Sequence, residues 1–413
     1  MPKVPSVPDR QHPRPIRVRV LGHAGTAART VHDYAHGCML MRLMQTSVSA
    51  VPGTTDPGVL PRDAAGRIPV AIIGATGYVG AELIRLLERH PDVRIVGLAA
   101  RGRDGLPVGA AFAHLDETGH RIDGALPTSS DVAAVFLALP AGASAPRVPE
   151  LLARGLAVVD LGPDFRLADP ADYPRWYGFE HPAPELLPGA GPGAAVYGLP
   201  ELHRAALAAT RLVASPGCYP TAALLALAPL ARAGLVADVV VDAKSGVSGA
   251  GREPKLETHF SEANENLRAY GLGGHRHLAE LAQELRALGA ASGVVDAVTF
   301  TPHLVPMTRG LLATCYVRPS HPVTAAEISG LYEAAYAGEP FVRLVDAAPG
   351  TKHVSGSNAA RVHVRLDERS GRIVALAAID NLVKGAAGQA IQAFNVVAGL
   401  PETSGLEQIA LYP

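Results

Sequence analysis

Three cysteines, Cys38, Cys218 and Cys315, are too few and too scattered in 413 residues for a disulfide framework. The simpler reading is a reducing, cytoplasmic compartment. Charge of either sign is not in excess either: 37 Lys+Arg face 38 Asp+Glu, for a formal charge of −1. A nucleic-acid binder normally carries a strong basic excess, so no nucleic-acid partner is expected. No apolar run free of turn signals reaches the roughly 18 residues of a membrane helix. The apolar stretch from Thr221 to Leu235 is interrupted by Pro229 and Gly234, so no membrane partner is expected. Lysine is confined to positions 3, 244, 255, 352 and 384, and arginine supplies the remaining positive charge. With 43 Gly and 35 Pro, this pattern reflects a GC-rich genome and carries no functional information.

What is present is a chain that is 48% hydrophobic and long enough for two or three domains. Residues 1–66 differ from the rest. They are rich in Pro, Arg and Thr, lack a helical or strand period, and are expected to be poorly ordered. Met39, Met41 and Met44 offer internal starts, so part of the tract is expected to stem from an upstream start codon. From Ile68 the pattern alternates strand and helix: Ile68–Gly74, Arg94–Ala100, Asp131–Leu139 and Leu156–Leu161 as strands, with helices over Gly77–His90 and near Ala145–Arg154. That alternation predicts a doubly wound parallel sheet of α/β type. Beyond about Pro216 the strands lengthen (Val239–Ala243, Ala297–Thr301, Leu311–Val317, Ala360–Leu366, Ile373–Ile379) and helices thin out. This predicts an α+β domain with a mixed or antiparallel sheet, closed by a helix over Gly385–Ala398. No internal repeat is found.

Gly74-Ala75-Thr76-Gly77-Tyr78-Val79-Gly80 lies between the first strand and the first helix, a GxxGxxG spacing. Glycines permit the tight turn and close backbone approach that a pyrophosphate needs, and the helix start offers free N–H groups. The second strand ends Ala99-Ala100-Arg101-Gly102-Arg103, with no acid until Asp104. NAD sites place a carboxylate there for the ribose hydroxyl, whereas an arginine suits a 2′-phosphate. NADP(H) is therefore the expected cofactor, with Arg101 the better candidate and Arg103 the second. A solvated loop arginine is the plainer alternative.

Ser215-Pro216-Gly217-Cys218-Tyr219-Pro220-Thr221 precedes an Ala/Leu-rich helix, with Pro220 suited to its first turn. Cys218 thus heads a helix, where a thiolate is favoured and the thiol pKa is expected to fall. Cys315, inside a strand, reads as a small buried hydrophobe. A thiolate beside a nicotinamide can attack an aldehyde or an acyl phosphate, and such chemistry needs an acid/base. His275 and His277, in Gly273-Gly274-His275-Arg276-His277, are the candidates, against the plainer reading of surface histidines at a helix start. No second Cys/His cluster stands at ligand spacing, so no metal is expected. Lys244-Ser245-Gly246-Val247-Ser248-Gly249-Ala250-Gly251-Arg252 combines small residues and cations suited to a nest for phosphate or carboxylate, or simply a flexible loop.

Together these segments resemble the N-acetyl-γ-glutamyl-phosphate reductase family of arginine biosynthesis, in its longer bacterial form. The resemblance runs from about Val70 to Pro413. It is carried by GATGYVGAEL from Gly74, DLGPDFRL from Asp160, VYGLPEL from Val196, SPGCYPTAALLALAP from Ser215, KSGVSGAGR from Lys244, NENLRAYG from Asn264, HRHLAE from His275, TPHLVPMTRG from Thr301 and NLVKGAAGQAIQAFN from Asn381. It implies an NADP-binding Rossmann domain over 67–217, completed by 384–413, and a catalytic and dimerisation domain over 218–383. It implies Cys218 as nucleophile and His277 as acid/base. Asn381 and Gly385 would lie near the nicotinamide, and Ser245, Ser248, Gly249, Arg252 or Arg309 would assist the phosphate. The implied reaction is NADPH-dependent reduction of N-acetylglutamyl 5-phosphate, a small-molecule substrate, to the semialdehyde by a homo-oligomer, dimer or tetramer. Gly162-Pro163 departs from the small-polar pair usual in the family, and residues 1–66 have no counterpart. Rival readings are an aspartate-semialdehyde dehydrogenase, a reductase of carrier-protein-linked acyl phosphates, and an NADP-binding regulator without catalysis.

Overall fold

A computed structural model describes residues 60–124 and 131–413. The chain divides into two compact units, 1–52 and 53–413. The first lies outside the described residues, as do Cys38 and the internal methionines on which expectations were placed. The described residues 60–66 fall within the expected 1–66 extension. Leu60 is buried in a core cluster, and Asp63 accepts hydrogen bonds from the backbone of Ala65 and Arg67 and from the Arg94 guanidinium.

The first sheet is built from β1 (Ile68–Ile73), α1 (Tyr78–Leu87), β2 (Val93–Ala99), β3 (Ala134–Leu137), α2 (Val148–Ala153), β4 (Ala157–Asp160), α3 (Asp172–Tyr177), β5 (Val196–Tyr197), α4 (Pro200–Leu207) and β6 (Leu212–Ala214). Its strand order is β2-β1-β3-β4-β6-β5, with every pairing parallel. β1 and β3 are apolar along almost their whole length because both faces are covered, as parallel strands between helix layers must be. The chain leaves β1 toward β2 on one side and returns to β3 on the other. The carboxyl ends of β1 and β3 therefore flank the crevice where such folds bind ligands.

The second half contains α5 (Cys218–Arg232), β7 (Val236–Gly246), α6 (Phe260–Ala263), β8 (Arg268–Ala269), α7 (His277–Ala287), α8 (Ser292–Val295), β9 (Thr299–Val305), β10 (Leu311–Pro319), α9 (Ala325–Tyr336), β11 (Val342–Leu344), β12 (Ala360–Asp367), β13 (Arg372–Ile379) and α10 (Gly388–Val397). Its sheet runs β11-β12-β13-β10-β7-β9-β8 and is mixed, with β7·β9 and β11·β12 parallel and the remaining pairs antiparallel. β7 is longer than expected, so Lys244 and Ser245 are strand residues rather than loop residues.

α5 is buried from Tyr219 to Ala231 and passes through Pro229 without ending. A proline there leaves the Leu225 carbonyl without its helical N–H. The Tyr336 hydroxyl donates to that carbonyl, and the Tyr332 hydroxyl donates to Ala226 next to it. α9 thus repairs the helix that carries Cys218. After a π-helical turn over Val383–Ala387, α10 packs back on the first sheet, with Phe394 against Phe136 at 5.3 Å between ring centroids. Lys384 in that turn is fully buried; its ammonium donates to Glu201 at 2.6 Å and Gln392 at 2.7 Å, which satisfies the charge.

Candidate active site

The glycines of the first turn have separate geometric reasons. Gly74 has φ +93°, and a Cβ there would stand 2.2 Å from the Ala138 carbonyl oxygen. A Cβ on Gly80 would stand 2.3 Å from the Gly74 carbonyl oxygen, so only glycine lets α1 close on the strand end. A Cβ on Gly77 would meet nothing nearer than 3.6 Å. The bare backbone at Gly77 leaves the start of α1 open to a ligand, which fits a dinucleotide pyrophosphate.

This turn opens on a cleft of about 400 Å³ lined by Gly77, Tyr78, Val79, Gly80, Cys218 and His277 among others, with Asn381 and Gly385 on its wall. The first sheet and the second half of the chain therefore meet at the sulfur. Gly74 and Thr76 lie behind this lining; Thr76 presents its carbonyl to Arg252. Arg101 and Arg103 stand exposed in the turn after β2, outside the cleft, and buried Ala99 and Ala100 bring no carboxylate to that strand end.

Cys218 is the first residue of α5, partly exposed, on an extended Gly217. Two missing side chains set its surroundings. A Cβ on Gly217 would lie 2.5 Å from His277 Nε2, and one on Gly385 would lie 2.8 Å from Cys218 Cβ. His277 and the 385 backbone can approach the Cys218 turn only because both positions are glycine. Burial pushes the Cys218 thiol up to about 11, and the Glu280 carboxylate adds to the rise. The nearby Arg166 and Arg276 guanidiniums and a backbone N–H pull the other way. The expectation of a lowered thiol pKa is thus reversed in this structure, because desolvation outweighs the helix start and the cations.

The two histidines divide. His275 sits among Tyr219, Tyr270 and Phe300, with ring centroids 5.9, 5.4 and 5.4 Å away. Its Nδ1 accepts the His277 backbone N–H at 3.1 Å, so it serves the start of α7. Burial, helped by Arg276, holds it down at about 4. His277 is buried and lines the cleft, and its Nδ1 has no partner among the described residues. Burial, then His275 and the two arginines, hold His277 well below the usual histidine range, so its imidazole is neutral at neutral pH.

Two residues not singled out from the sequence support this turn. Glu280, fully buried, accepts the Gly217 N–H and the Tyr197 hydroxyl, each at 2.7 Å. Arg166 donates to the Ser215 carbonyl at 2.7 Å, to the Leu161 carbonyl at 2.9 Å and to Glu280 at 3.4 Å. Both lay in quoted motifs. The available signal was the three-residue spacing of His277 and Glu280, which puts them on one helix face. Asp160, fully buried under the Gly162-Pro163 turn, accepts the Gly162 N–H; burial and the neighbouring Asp164 push it up to about 7.

The expected anion residues are largely occupied. Ser245 is buried and donates to the Gly246 carbonyl, and Lys244 pairs with Asp242. Ser248 Oγ accepts from Asn381 Nδ2 at 2.9 Å, while Asn381 Oδ1 accepts the Gly310 N–H. Ser248, Gly249 and Arg252 line the cleft, but the Arg252 guanidinium donates to the Thr76 and Ala111 carbonyls and stacks on Phe112. Arg309 lies in an adjoining cavity, paired with Glu82 at 2.8 Å and Asp380 at 3.6 Å.

Comparison with known proteins agrees with this architecture. The family described as "Semialdehyde dehydrogenase, NAD binding domain" matches residues 69–210, and "Semialdehyde dehydrogenase, dimerisation domain" matches residues 218–381. A Desulforudis audaxviator protein named N-acetyl-gamma-glutamyl-phosphate reductase is 50% identical over 355 residues, covering 84% of this chain and 100% of that one. One of the same name from Dehalococcoides mccartyi is 47% identical over 347 residues, covering 83% and 98%. In fold, the chain is similar to aspartate semialdehyde dehydrogenase II from Vibrio cholerae, with TM-score 0.60 at 20% identity over 81% of this chain and 98% of that one. A Candida albicans aspartate semialdehyde dehydrogenase solved with NADP gives 0.59 at 16% identity, over 80% and 98%. With a Cys-bearing helix start facing a glycine-rich crevice, and relatives at this identity along almost their full length, the chain belongs to the N-acetyl-γ-glutamyl-phosphate reductase family of the semialdehyde dehydrogenases.

Proposed function

We propose that the protein reduces N-acetylglutamyl 5-phosphate to N-acetylglutamate 5-semialdehyde and phosphate, with NADPH as reductant and a Cys218 thioester as intermediate, in arginine biosynthesis. The observation that carries this is the placement of Cys218 and His277 in one cleft with the Gly77–Gly80 helix start. The cofactor would be held at Gly77 and Gly80, with Arg101 and then Arg103 toward its 2′-phosphate and Asn381 and Gly385 toward its nicotinamide; when bound it supplies a hydride. Cys218 Sγ forms a bond to the acyl carbon as the C–O bond to phosphate breaks. Neutral His277 takes the thiol proton and later returns it as the hemithioacetal collapses, which frees the sulfur and the aldehyde. Glu280 and Arg166 hold the Gly217–Cys218 backbone and the Ser215 carbonyl in place throughout. Ser248, Gly249 and the loop after Ser245 form the cleft wall toward the leaving phosphate.

We place the enzyme in the cytoplasm, where reducing conditions keep Cys218 a thiol. The 218–381 half matches a dimerisation domain, and we read the working form as a homodimer or homotetramer, to be counted by analytical ultracentrifugation. The decisive assay runs the reaction backward: NADP⁺ reduction with N-acetylglutamate semialdehyde and phosphate. Cys218→Ser is expected to abolish it while NADPH binding persists. Turnover by that variant rejects the thioester route. Preference for aspartate semialdehyde, or for a carrier-linked semialdehyde, assigns the substrate elsewhere, and binding of NADPH without any turnover marks a regulator.

A further inference from the structure

Three guanidiniums line the cleft that holds Cys218: Arg166, Arg252 and Arg276. Arg166 is committed to two carbonyls and the Glu280 carboxylate. Arg252 is committed to the Thr76 and Ala111 carbonyls and the Phe112 ring. Arg276 has neither a hydrogen bond nor an ion pair among the described residues. It occupies the capping position of α7, directly before His277, and its side chain is exposed at the mouth of the cleft. On the same flank the Tyr177 hydroxyl lies within the fields of Glu280, Arg166 and Arg276, and it is buried without a partner among the described residues.

The substrate proposed above carries two anions. Its phosphate is attached to the reacting carbon and must lie at the depth of Cys218, toward the Ser248–Gly249 wall of the cleft. Its α-carboxylate lies at the other end of a short aliphatic chain and reaches outward. A planar guanidinium at the mouth presents paired N–H donors that match a carboxylate. We propose that Arg276 receives the α-carboxylate and so sets the depth at which the acyl carbon meets the sulfur. This makes Arg276 the residue that selects an amino-acid-derived acyl phosphate over one lacking the carboxylate. The inference rests on the function proposed above and specifies its substrate recognition.

The reverse reaction separates the two anions into different molecules, so each can be titrated alone. For Arg276→Ala, the KM for N-acetylglutamate semialdehyde is expected to rise by roughly ten- to a hundredfold, the loss typical of a charge-assisted hydrogen bond. The KM for phosphate and the affinity for NADP⁺ should stay unchanged, and Arg276→Lys should recover part of the loss. With 4-acetamidobutanal, the same aldehyde without its carboxylate, the KM should be the same for wild type and Arg276→Ala, with any loss of the Arg276 field at Cys218 read separately in kcat. A rise confined to the KM for phosphate would overturn the assignment, as would an unchanged KM for both. If wild type itself fails to turn over N-acetylglutamate semialdehyde, the proposed function fails, and that result is distinguishable from a wild type that works and an Arg276 variant that behaves like it.

Discussion

Replacing Gly217 by alanine perturbs one thing. The backbone at Gly217, φ −69° and ψ 152°, suits alanine without strain. The added methyl, however, would stand 2.5 Å from His277 Nε2, 2.8 Å from Cε1 and 2.9 Å from Cδ2, all atoms of one ring. Carbon–nitrogen contact relaxes only at about 3.5 Å, so the ring must retreat by about 1 Å. It has little room behind it: His275 lies 4.8 Å and Tyr219 5.9 Å away between ring centroids. If the ring stays, overpacking costs about 1–3 kcal/mol of stability. If it moves, a displacement near 1 Å of the proposed acid/base is expected to lower kcat by about 100-fold. Steady-state kinetics in the reverse direction, with NADPH binding followed by fluorescence and thermal unfolding in parallel, reads all three quantities. Expected are a large fall in kcat, near-normal cofactor affinity and a modestly lower Tm. Gly273→Ala, in the segment that carries His277 and where a Cβ would meet nothing within 4 Å, controls for an added methyl and should leave kcat intact. A Gly217→Ala enzyme with kcat within about threefold of wild type, well short of the loss expected from a 1 Å displacement, would refute the proposed role of His277 against the Cys218 turn.

Three further outcomes follow from the charges. Arg101→Ala should weaken NADPH binding more than NADH binding, by roughly 1–3 kcal/mol for a lost charge-assisted contact; equal losses, measured by fluorescence titration, would remove Arg101 from the 2′-phosphate role. Alkylation of Cys218 by iodoacetamide should keep accelerating above the pH of about 8.5 where a free thiol titrates, because burial raises this thiol to about 11. Glu280→Gln removes a carboxylate that adds to the rise, so its alkylation profile should move to lower pH; a profile unmoved or shifted upward would contradict that sign.

How much was readable in advance depends on how far apart the causes lie along the chain. Ile68–Ile73 is continuously apolar because both faces of β1 are covered, and that pattern needs no partner to be seen. β5 and β6, of two and three residues, carry too few side chains for a period. β7 extends three residues past its apolar run because Lys244 alternates to the open face, where Asp242 pairs with it. Arg309 resembled an anion ligand by type. Its partner Glu82 lies 227 residues away on α1, and only the folded chain reveals that the charge is already used. The position of Cys218 at a helix start was legible from the proline and glycine around it. Its ionisation was not, because desolvation depends on what packs over the sulfur.

That last difference has a chemical consequence. At neutral pH these directions leave a Cys218 thiol and a neutral His277 imidazole lining one cleft, rather than a thiolate–imidazolium pair. Arg166 and Arg276 favour charge on the sulfur, and burial opposes it on both partners. In the proposed mechanism, proton transfer from Cys218 to His277 is therefore uphill until the negative charge on sulfur has somewhere to go. Attack on an acyl phosphate provides that outlet, because the charge passes through the acyl carbon to the departing phosphate as the bond forms. The site need not maintain a standing thiolate, which oxidants would consume in a cell. In the proposed mechanism, the raised thiol and the depressed imidazole, both effects of burial, let ionisation accompany attack.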